Sequence, residues 1–259
     1  MARKFKQNFD TPIIVGGPGS LNPAPYINAE TNIVCIGEGE KTILEIVDFL
    51  HEKRKINEVN GIAYSKNGGV VRSSPQDLIK DLDALPFPNR DKISIHHFRD
   101  FNIYNMKLPY TTMITSRGCL YRCSFCTSHN IWMGKIRSRS PLNVIEEIDE
   151  LVRKYGVKFI SFQDDIFGFN DDWLREFSGL LVGRKYNLNW MCILHPLSFR
   201  KKRNEMLDLL RATGCNTISL GVQSADKNLL EGIRRRESEL NSAIDLVKAS
   251  KKRGMLTAI

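Results

Sequence analysis

The chain has 259 residues, of which 42% are hydrophobic and 26% charged, and its 38 Lys plus Arg against 29 Asp plus Glu leave a formal charge of +9. This length holds one large domain or two ordinary ones, and the apolar fraction is enough for a packed core, which excludes a disordered or low-complexity chain. No window approaches the ~18 consecutive apolar residues of a membrane span, and MARKFKQNFD lacks the apolar region of a secretory signal, so a cytoplasmic protein is expected.

Residues 11–50 read as alternating strand and helix. TPIIVGG is a strand running into Gly16 and Gly17, NIVCIGEGE is a second strand, and KTILEIVDFLHEK is an amphipathic helix with Ile43, Leu44, Ile46, Val47 and Leu50 on one apolar face. Such alternation predicts a parallel sheet. Gly16 and Gly17, followed by Pro18 and Gly19, allow either a plain tight turn or a close backbone approach to a flat or charged ligand. Glu38 and Glu40 stand at the start of the helix, where carboxylates meet the positive end of its dipole. Residues 56–75 predict a hairpin, GIAYS and VVRSS joined across Asn67-Gly68, both of which accept positive φ. Pro86 and Pro88 in DLDALPFPNRD then predict an extended linker between two units.

From Tyr110 the alternation is regular. Strand YTTMITS meets a cysteine-rich loop, helix PLNVIEEIDELVRKYG follows, and strands VKFISFQDD, NWMCIL and NTISLGVQS alternate with helices DWLREFSGLLVGRKY and NEMLDLLRATG. DKNLLEGIRR and the helix ELNSAIDLVKASKKRG lead to MLTAI, which opens a fifth strand. Gly156, Gly214 and Gly254 stand at helix ends as C-caps do. This order predicts a curved parallel sheet of the barrel type. A full eightfold barrel takes about 250 residues, and roughly 150 are available, so a partial barrel is expected. Basic runs at residues 200–203, 234–236 and 251–253 read either as solvated helix ends and loops or as a surface for RNA or an acidic substrate.

Of six cysteines, three crowd into Arg117-Gly118-Cys119-Leu120-Tyr121-Arg122-Cys123-Ser124-Phe125-Cys126, with spacing Cys-x3-Cys-x2-Cys. Soft thiolates on one loop suit an iron–sulfur cluster or zinc. Clusters normally take four protein thiolates, so a three-cysteine loop leaves one iron open to a substrate. Two alternatives stay open on spacing alone: a tetrahedral zinc site with His129 as fourth ligand, and three unrelated core cysteines. Cys35, Cys192 and Cys215 fall on apolar strands or their edges and read as small buried hydrophobes.

Cys119, Cys123 and Cys126, with Phe125 before the third cysteine and the loop following the first strand of a βα series, resemble the cluster motif of the radical S-adenosylmethionine superfamily. The resemblance implies a [4Fe-4S] cluster whose open iron chelates S-adenosylmethionine, and reductive cleavage of that cofactor to a 5′-deoxyadenosyl radical. It implies cofactor contacts at the carboxyl ends of the strands, where ligands of parallel βα folds sit. Phe125 would lie near the adenine. Gln163, Asp164 and Asp165 stand where the family binds the methionine amino group, although the usual Gly-Gly-Glu is absent; N-capping of the next helix is the other reading. Gln223 and Ser224 in GVQS would contact the ribose and methionine part, or cap a helix. Arg137 or Arg139 would pair with the methionine carboxylate, or lie in an exposed loop. His195, at the end of the third strand, would face substrate or serve structure.

The amino-terminal stretch, from IIVGGPGS through LPFPNRD, resembles the rear part of the cobalamin-binding Rossmann-type domain that precedes the barrel in one subclass, with Gly16 and Gly17 matching the Gly-Gly pair lining the cofactor's nucleotide tail. The Asp-x-His-x-x-Gly loop and the Ser-x-Leu stretch of that domain have no counterpart. The expected organisation is a partial cobalamin-binding-like segment at 1–55, a hairpin and linker at 56–108, and a radical S-adenosylmethionine partial barrel at 109–259, read as a fragment of a longer protein in which alone cobalamin would bind, or else as a degenerate member that has lost cobalamin binding. The implied activity is cobalamin-associated methylation or rearrangement of a small-molecule or lipid-like substrate. A flavodoxin or ferredoxin would supply the electron; no nucleic-acid partner is expected. A transfer-RNA methylthiotransferase is the same-class alternative, weakened because residues 1–100 hold only Cys35. A non-catalytic metal- or cluster-binding protein is the alternative from another class.

Overall fold

The computed structural model describes residues 2–28, 31–93 and 107–259. The chain divides into two compact units, Met1–Lys80 with Asn130–Met133, and Asp81–His129 with Gly134–Ile259. Of the linker expected at 56–108, residues 94–106 lie outside the described residues.

The first unit holds helix α1 (Ala2–Lys6), strands β1 (Ile14–Val15) and β2 (Ile33–Cys35), helix α2 (Gly39–Leu50) and the hairpin of β3 (Ile62–Lys66) and β4 (Gly69–Arg72). β1 and β2 run parallel, while β3 pairs antiparallel with both β2 and β4 in one sheet of order β1-β2-β3-β4. The hairpin therefore extends the amino-terminal sheet, instead of belonging to a connecting segment after residue 55. Its turn residues Asn67 and Gly68 have φ of 52° and 76°, the conformation that a two-residue hairpin turn demands. Ile33, Ile46, Val59, Ile62 and Tyr64 form the core.

The expected apolar face of α2 is only partly used. Ile46 is buried, but Ile43, Val47 and Leu50 are exposed, and Leu44 is 67% exposed. A sheet of short strands covers one narrow line of the helix, through Thr42 and Ile46. Glu38 does not cap the helix with its side chain; its carboxylate accepts the Ile79 N–H at 2.8 Å.

β5 (Tyr110–Met113) leads to β6 (Ser116–Arg117), α3 (Ser128–Trp132), β7 (Arg137–Ser138) and α4 (Pro141–Tyr155), all of the second unit apart from Asn130–Trp132 of α3. There follow β8 (Phe159–Phe162), α5 (Asp171–Arg184), β9 (Asn189–Leu194), α6 (Arg203–Ala212), β10 (Cys215–Leu220), α7 (Lys227–Gly232), α8 (Glu237–Lys251) and β11 (Leu256–Ala258). The strands form a five-stranded parallel sheet of order β11-β10-β9-β8-β5. Each new strand lies beside its predecessor without reversal, the sequential order of a βα barrel.

Strand side chains alternate between faces. Ile160, Phe162, Trp190, Cys192, Leu194, Ile218 and Leu220 turn toward a core filled by Ile148, Phe177, Leu207 and Leu246 of the helices. Trp190 is fully buried and its indole N–H donates to the Thr213 carbonyl at 2.8 Å, which removes the cost of burying that donor. Gly214 turns the chain between α6 and β10 at φ 96°, where a Cβ would overlap the Leu188 carbonyl. Cys35, Cys192 and Cys215 are buried.

The basic runs are not simply solvated. One arginine of each ties elements together: Arg203 donates to Ser242 at 2.7 Å, Arg235 to Glu239 at 3.1 Å, and Arg253 to Asp208 at 2.6 Å.

Candidate functional site

The site is built on the segment leaving β5. β6 and β7 pair antiparallel, Ser116 opposite Ser138 and Arg117 opposite Arg137, so a two-stranded ribbon closes the base of the loop carrying the cysteines. Gly118 makes that closure possible. It has φ 115°, and a Cβ there would overlap the Lys135 carbonyl, so any side chain would force the strands of the ribbon apart.

Cys119 and Cys123 are half-buried and Cys126 is exposed, all as free thiols. The Tyr121 N–H donates to the Cys119 sulfur at 3.4 Å, and Cys126 N–H donates to the Cys123 carbonyl at 3.1 Å in a tight turn. Burial pushes the Cys119 thiol up, helped by the Asp165 carboxylate and the neighbouring cysteines, against the bond from Tyr121. A cationic ligand group would reverse that balance, because it favours the thiolate. Phe125 is exposed beside Cys126. Among the described residues no three His, Cys, Asp or Glu side chains gather as a single ion requires. The Cys3His arrangement with His129 is thus not assembled; the His129 ring packs against Gly134. A cluster makes a different demand, one thiolate to each of several irons, and three thiols spaced along one loop suit it chemically.

Two other strand ends reach this loop directly, and a third does so through the His195 ring. After β8, the Asp165 carboxylate accepts the Gly118 N–H at 3.0 Å. After β9, the His195 ring stacks on Tyr121 with centroids 3.5 Å apart and planes within 11°. After β10, Arg235 donates to the Gly221 carbonyl at 3.1 Å. From the connection between α7 and α8, the Ile233 carbonyl accepts the Ser124 N–H at 3.3 Å. A cleft of about 180 Å³ opens beside Leu120 and Tyr121, with Ile166, Phe169, Leu197 and Phe199 and the polar Asp171, His195 and Ser198 on its other sides.

Two of the expected cofactor contacts are buried and engaged within the frame. Asp164 is 1% exposed. One of its carboxylate oxygens accepts from the Thr115 N–H and from the hydroxyls of Thr115 and Ser116 at 2.6–3.0 Å. Burial pushes its pKa up to about 6, against these hydrogen bonds. It anchors Thr115 and Ser116 on the approach to the loop. Arg139 is likewise buried, bound to Glu147, Asn143 and the Ile114 carbonyl. Glu147, 2% exposed, also meets Arg90 at 2.7 Å. Arg139 thus completes a buried Arg–Glu–Arg triad, because a charge in the core must be paired.

The remaining expected contacts are exposed or half-buried. Gln163 is exposed and donates to the Ser161 hydroxyl at 2.6 Å. Gln223 is exposed with φ 72°, and Arg137 is half-buried on β7. Ser224 accepts the Asp226 N–H at 3.0 Å, and Asp226 itself caps α7. The helix after Gln163–Asp165 is capped by Asn170, so capping does not occupy those residues. Tyr121, Arg235 and Glu239 carry no signal in the sequence, because their contacts join residues far apart in the chain and no local pattern marks them.

A sequentially wound parallel βα sheet, with a three-thiol loop at the carboxyl end of its first strand, defines a barrel-type protein with a donor set suited to a soft metal. The chain belongs to the radical S-adenosylmethionine superfamily, whose family model, described as Radical SAM superfamily, matches residues 113–259. It is similar, at 30% identity over 250 residues, to an uncharacterized methyltransferase of Pyrococcus horikoshii, over 94% of this chain and 52% of that protein. The fold resembles TsrM of Kitasatospora setae, a radical S-adenosylmethionine methyltransferase solved with tryptophan substrate and a cofactor analogue. The TM-score is 0.78 at 20% identity, over 99% of this chain and 50% of TsrM. TsrM has also been solved with cobalamin and a [4Fe-4S] cluster bound. OxsB, a cobalamin-dependent S-adenosylmethionine radical enzyme, matches with TM-score 0.76 at 20% identity, over 99% of this chain and 37% of OxsB. The chain spans about half the length of the curated relative and of TsrM, and less of OxsB. No helix among the described residues is long and apolar enough to cross a membrane.

Proposed function

We propose that Cys119, Cys123 and Cys126 hold a [4Fe-4S] cluster with S-adenosylmethionine on its open iron, and that the protein is an enzyme acting on an organic substrate in cobalamin-associated methylation or rearrangement. The observation that carries this reading is the three-thiol loop at the carboxyl end of β5, in a chain of this superfamily. A cluster bound there supplies one-electron reductive cleavage of S-adenosylmethionine, the electron coming from a donor of the flavodoxin or ferredoxin class. This chain's residues do the positioning. Gly118 lets the loop turn, Asp165 holds its first amide, and the Tyr121 N–H stabilises the Cys119 sulfur. Phe125, Gln163, Asp165, Gln223, Ser224 and Arg137 are the residues left to contact S-adenosylmethionine. Gly16 and Gly17 are those that would line the nucleotide tail of cobalamin; Gly17, at φ 98°, suits a close backbone approach. The cleft beside Leu120 and Tyr121 is the candidate place for a substrate group.

The test is anaerobic reconstitution with iron and sulfide. Iron–sulfur absorbance and an electron paramagnetic resonance signal on reduction, with 5′-deoxyadenosine released from S-adenosylmethionine, support the reading. Stoichiometric zinc with no cofactor cleavage overturns it, as does cleavage that survives replacement of all three cysteines by alanine.

A further inference from the structure

The stack of His195 on Tyr121 sits at the centre of a buried polar brace that the cofactor contacts do not explain. Tyr121 lies midway between Cys119 and Cys123, so whatever holds its ring sets the path of the chain between those two thiols. His195 is 6% exposed and comes from the end of β9. Its Nδ1 accepts the Leu197 N–H at 3.2 Å, and its Nε2 meets an Arg235 guanidinium nitrogen at 3.1 Å. Nε2 lies 3.4 Å from a Glu239 carboxylate oxygen. That same oxygen accepts from Arg235 at 3.1 Å, and the same Arg235 nitrogen donates to the Gly221 carbonyl. The imidazole thus has its edge fixed at both nitrogens and offers one face to Tyr121. Glu239 and Arg235 are themselves buried and compensate each other's charge. Two residues before Arg235 the chain meets the loop again, through the Ser124 to Ile233 hydrogen bond.

We propose that His195 is a positioning residue of the cysteine loop, acting through Tyr121 and tied by Glu239 and Arg235 to Gly221 at the end of β10. The brace joins the two segments that the proposed function gives to the cluster and to S-adenosylmethionine, and it rests on that reading only for what the loop holds. A flat ring is required at position 195, and the ring nitrogens set its orientation. Replacing the ring removes the face on which Tyr121 rests; phenylalanine keeps the face and loses the hydrogen bonds.

The experiment compares the whole chain with His195→Ala, His195→Phe and Tyr121→Leu. The first readout is the rate of thiol alkylation in the metal-free protein, resolved by mass spectrometry for each cysteine. The second is the rate of iron release to a chelator from the reconstituted protein. The expected result is a rise of roughly three- to tenfold, the range an aromatic stack supports, at Cys119 and Cys123 and in iron release, for His195→Ala and Tyr121→Leu. Cys192 and Cys215, buried in the same unit, should keep their wild-type rates, and His195→Phe should restore most of the protection. Unchanged loop rates overturn the proposal. So does acceleration of Cys192 and Cys215 alongside the loop thiols, because His195 would then support the fold as a whole; so does a phenylalanine variant that behaves as alanine does. If the wild-type protein takes up no cluster, the proposed function fails, while the alkylation rates still decide whether the brace exists.

Discussion

The carboxylate of Asp165 accepts the backbone N–H of Gly118 at 3.0 Å, joining the end of β8 to the residue immediately before the first cysteine of the loop. Asp165 is exposed, so solvent screens the charge and the bond is worth about 1 kcal/mol. Asp165→Ala should therefore raise the alkylation rate of Cys119 about fivefold and lower iron uptake, while Asp165→Asn, which keeps an acceptor oxygen, should stay near wild type. Equal behaviour of the two variants would show that the amide bond is not what holds the loop.

Gly118 itself carries a steric prediction. Its φ of 115° and the Lys135 carbonyl beside it leave no room for a Cβ, and backbone strain of this kind costs on the order of 1–3 kcal/mol before the overlap is counted. Gly118→Ala should open the β6–β7 ribbon and abolish cluster uptake without unfolding the five-stranded sheet. Near-ultraviolet circular dichroism of the Trp190 environment, with iron analysis, checks it: a variant loaded to wild-type iron content contradicts the packing argument.

The Arg90–Glu147–Arg139 triad should be costly to break. Removing Glu147 strands two arginines that are nearly excluded from solvent, and loss of one partner in a buried ion pair costs about 3–5 kcal/mol. Glu147→Ala is expected to lower the urea midpoint sharply. Asp91→Ala removes the exposed, solvent-screened pairing with Lys154 and should barely move that midpoint. Similar losses in the two variants would contradict the role of burial.

Two buried groups make stability respond to pH in opposite senses. His195 is pushed down to about 3 by burial and then by the Arg235 charge, so the unfolded chain takes up a proton near pH 6.5 that the folded one refuses. Its contribution is complete above about pH 6.5 and is lost as pH falls toward 3, at up to about 1.4 kcal/mol per unit. Asp164, raised to about 6, is protonated first in the folded state. Its contribution is greatest below about pH 4 and declines as pH rises to 6. Asp164→Asn removes that decline, so the variant should gain on wild type by up to about 3 kcal/mol between pH 4 and 6. Denaturant titrations across this range test it, and a constant difference between variant and wild type would contradict the assignment.

Much of the fold is legible in the amino-acid order. The β and α periods of residues 110–258, the glycine caps and the Asn67-Gly68 turn are local patterns, and a local pattern suffices when each element buries one face. The spacing of Cys119, Cys123 and Cys126 is equally legible, because a cluster loop draws its ligands from one short segment. Long-range contacts are not. Asp164 and Arg139 have the side chains of ligand-binding residues, and nothing near them in sequence says that Thr115, Ser116 and Glu147 use them instead. The α2 face of Ile43, Leu44, Val47 and Leu50 has a helix's apolar period, yet periodicity does not report how wide a surface the partner sheet offers.

Residues close together in the chain suffice to set the strand and helix order, the three-thiol loop and the end of the sheet at which it stands. Folding in three dimensions settles which polar groups remain open to a ligand and which serve the frame. It puts His195 under Tyr121 and Arg235 against Gly221, because a buried polar group must find its partner wherever the packed chain brings one within reach.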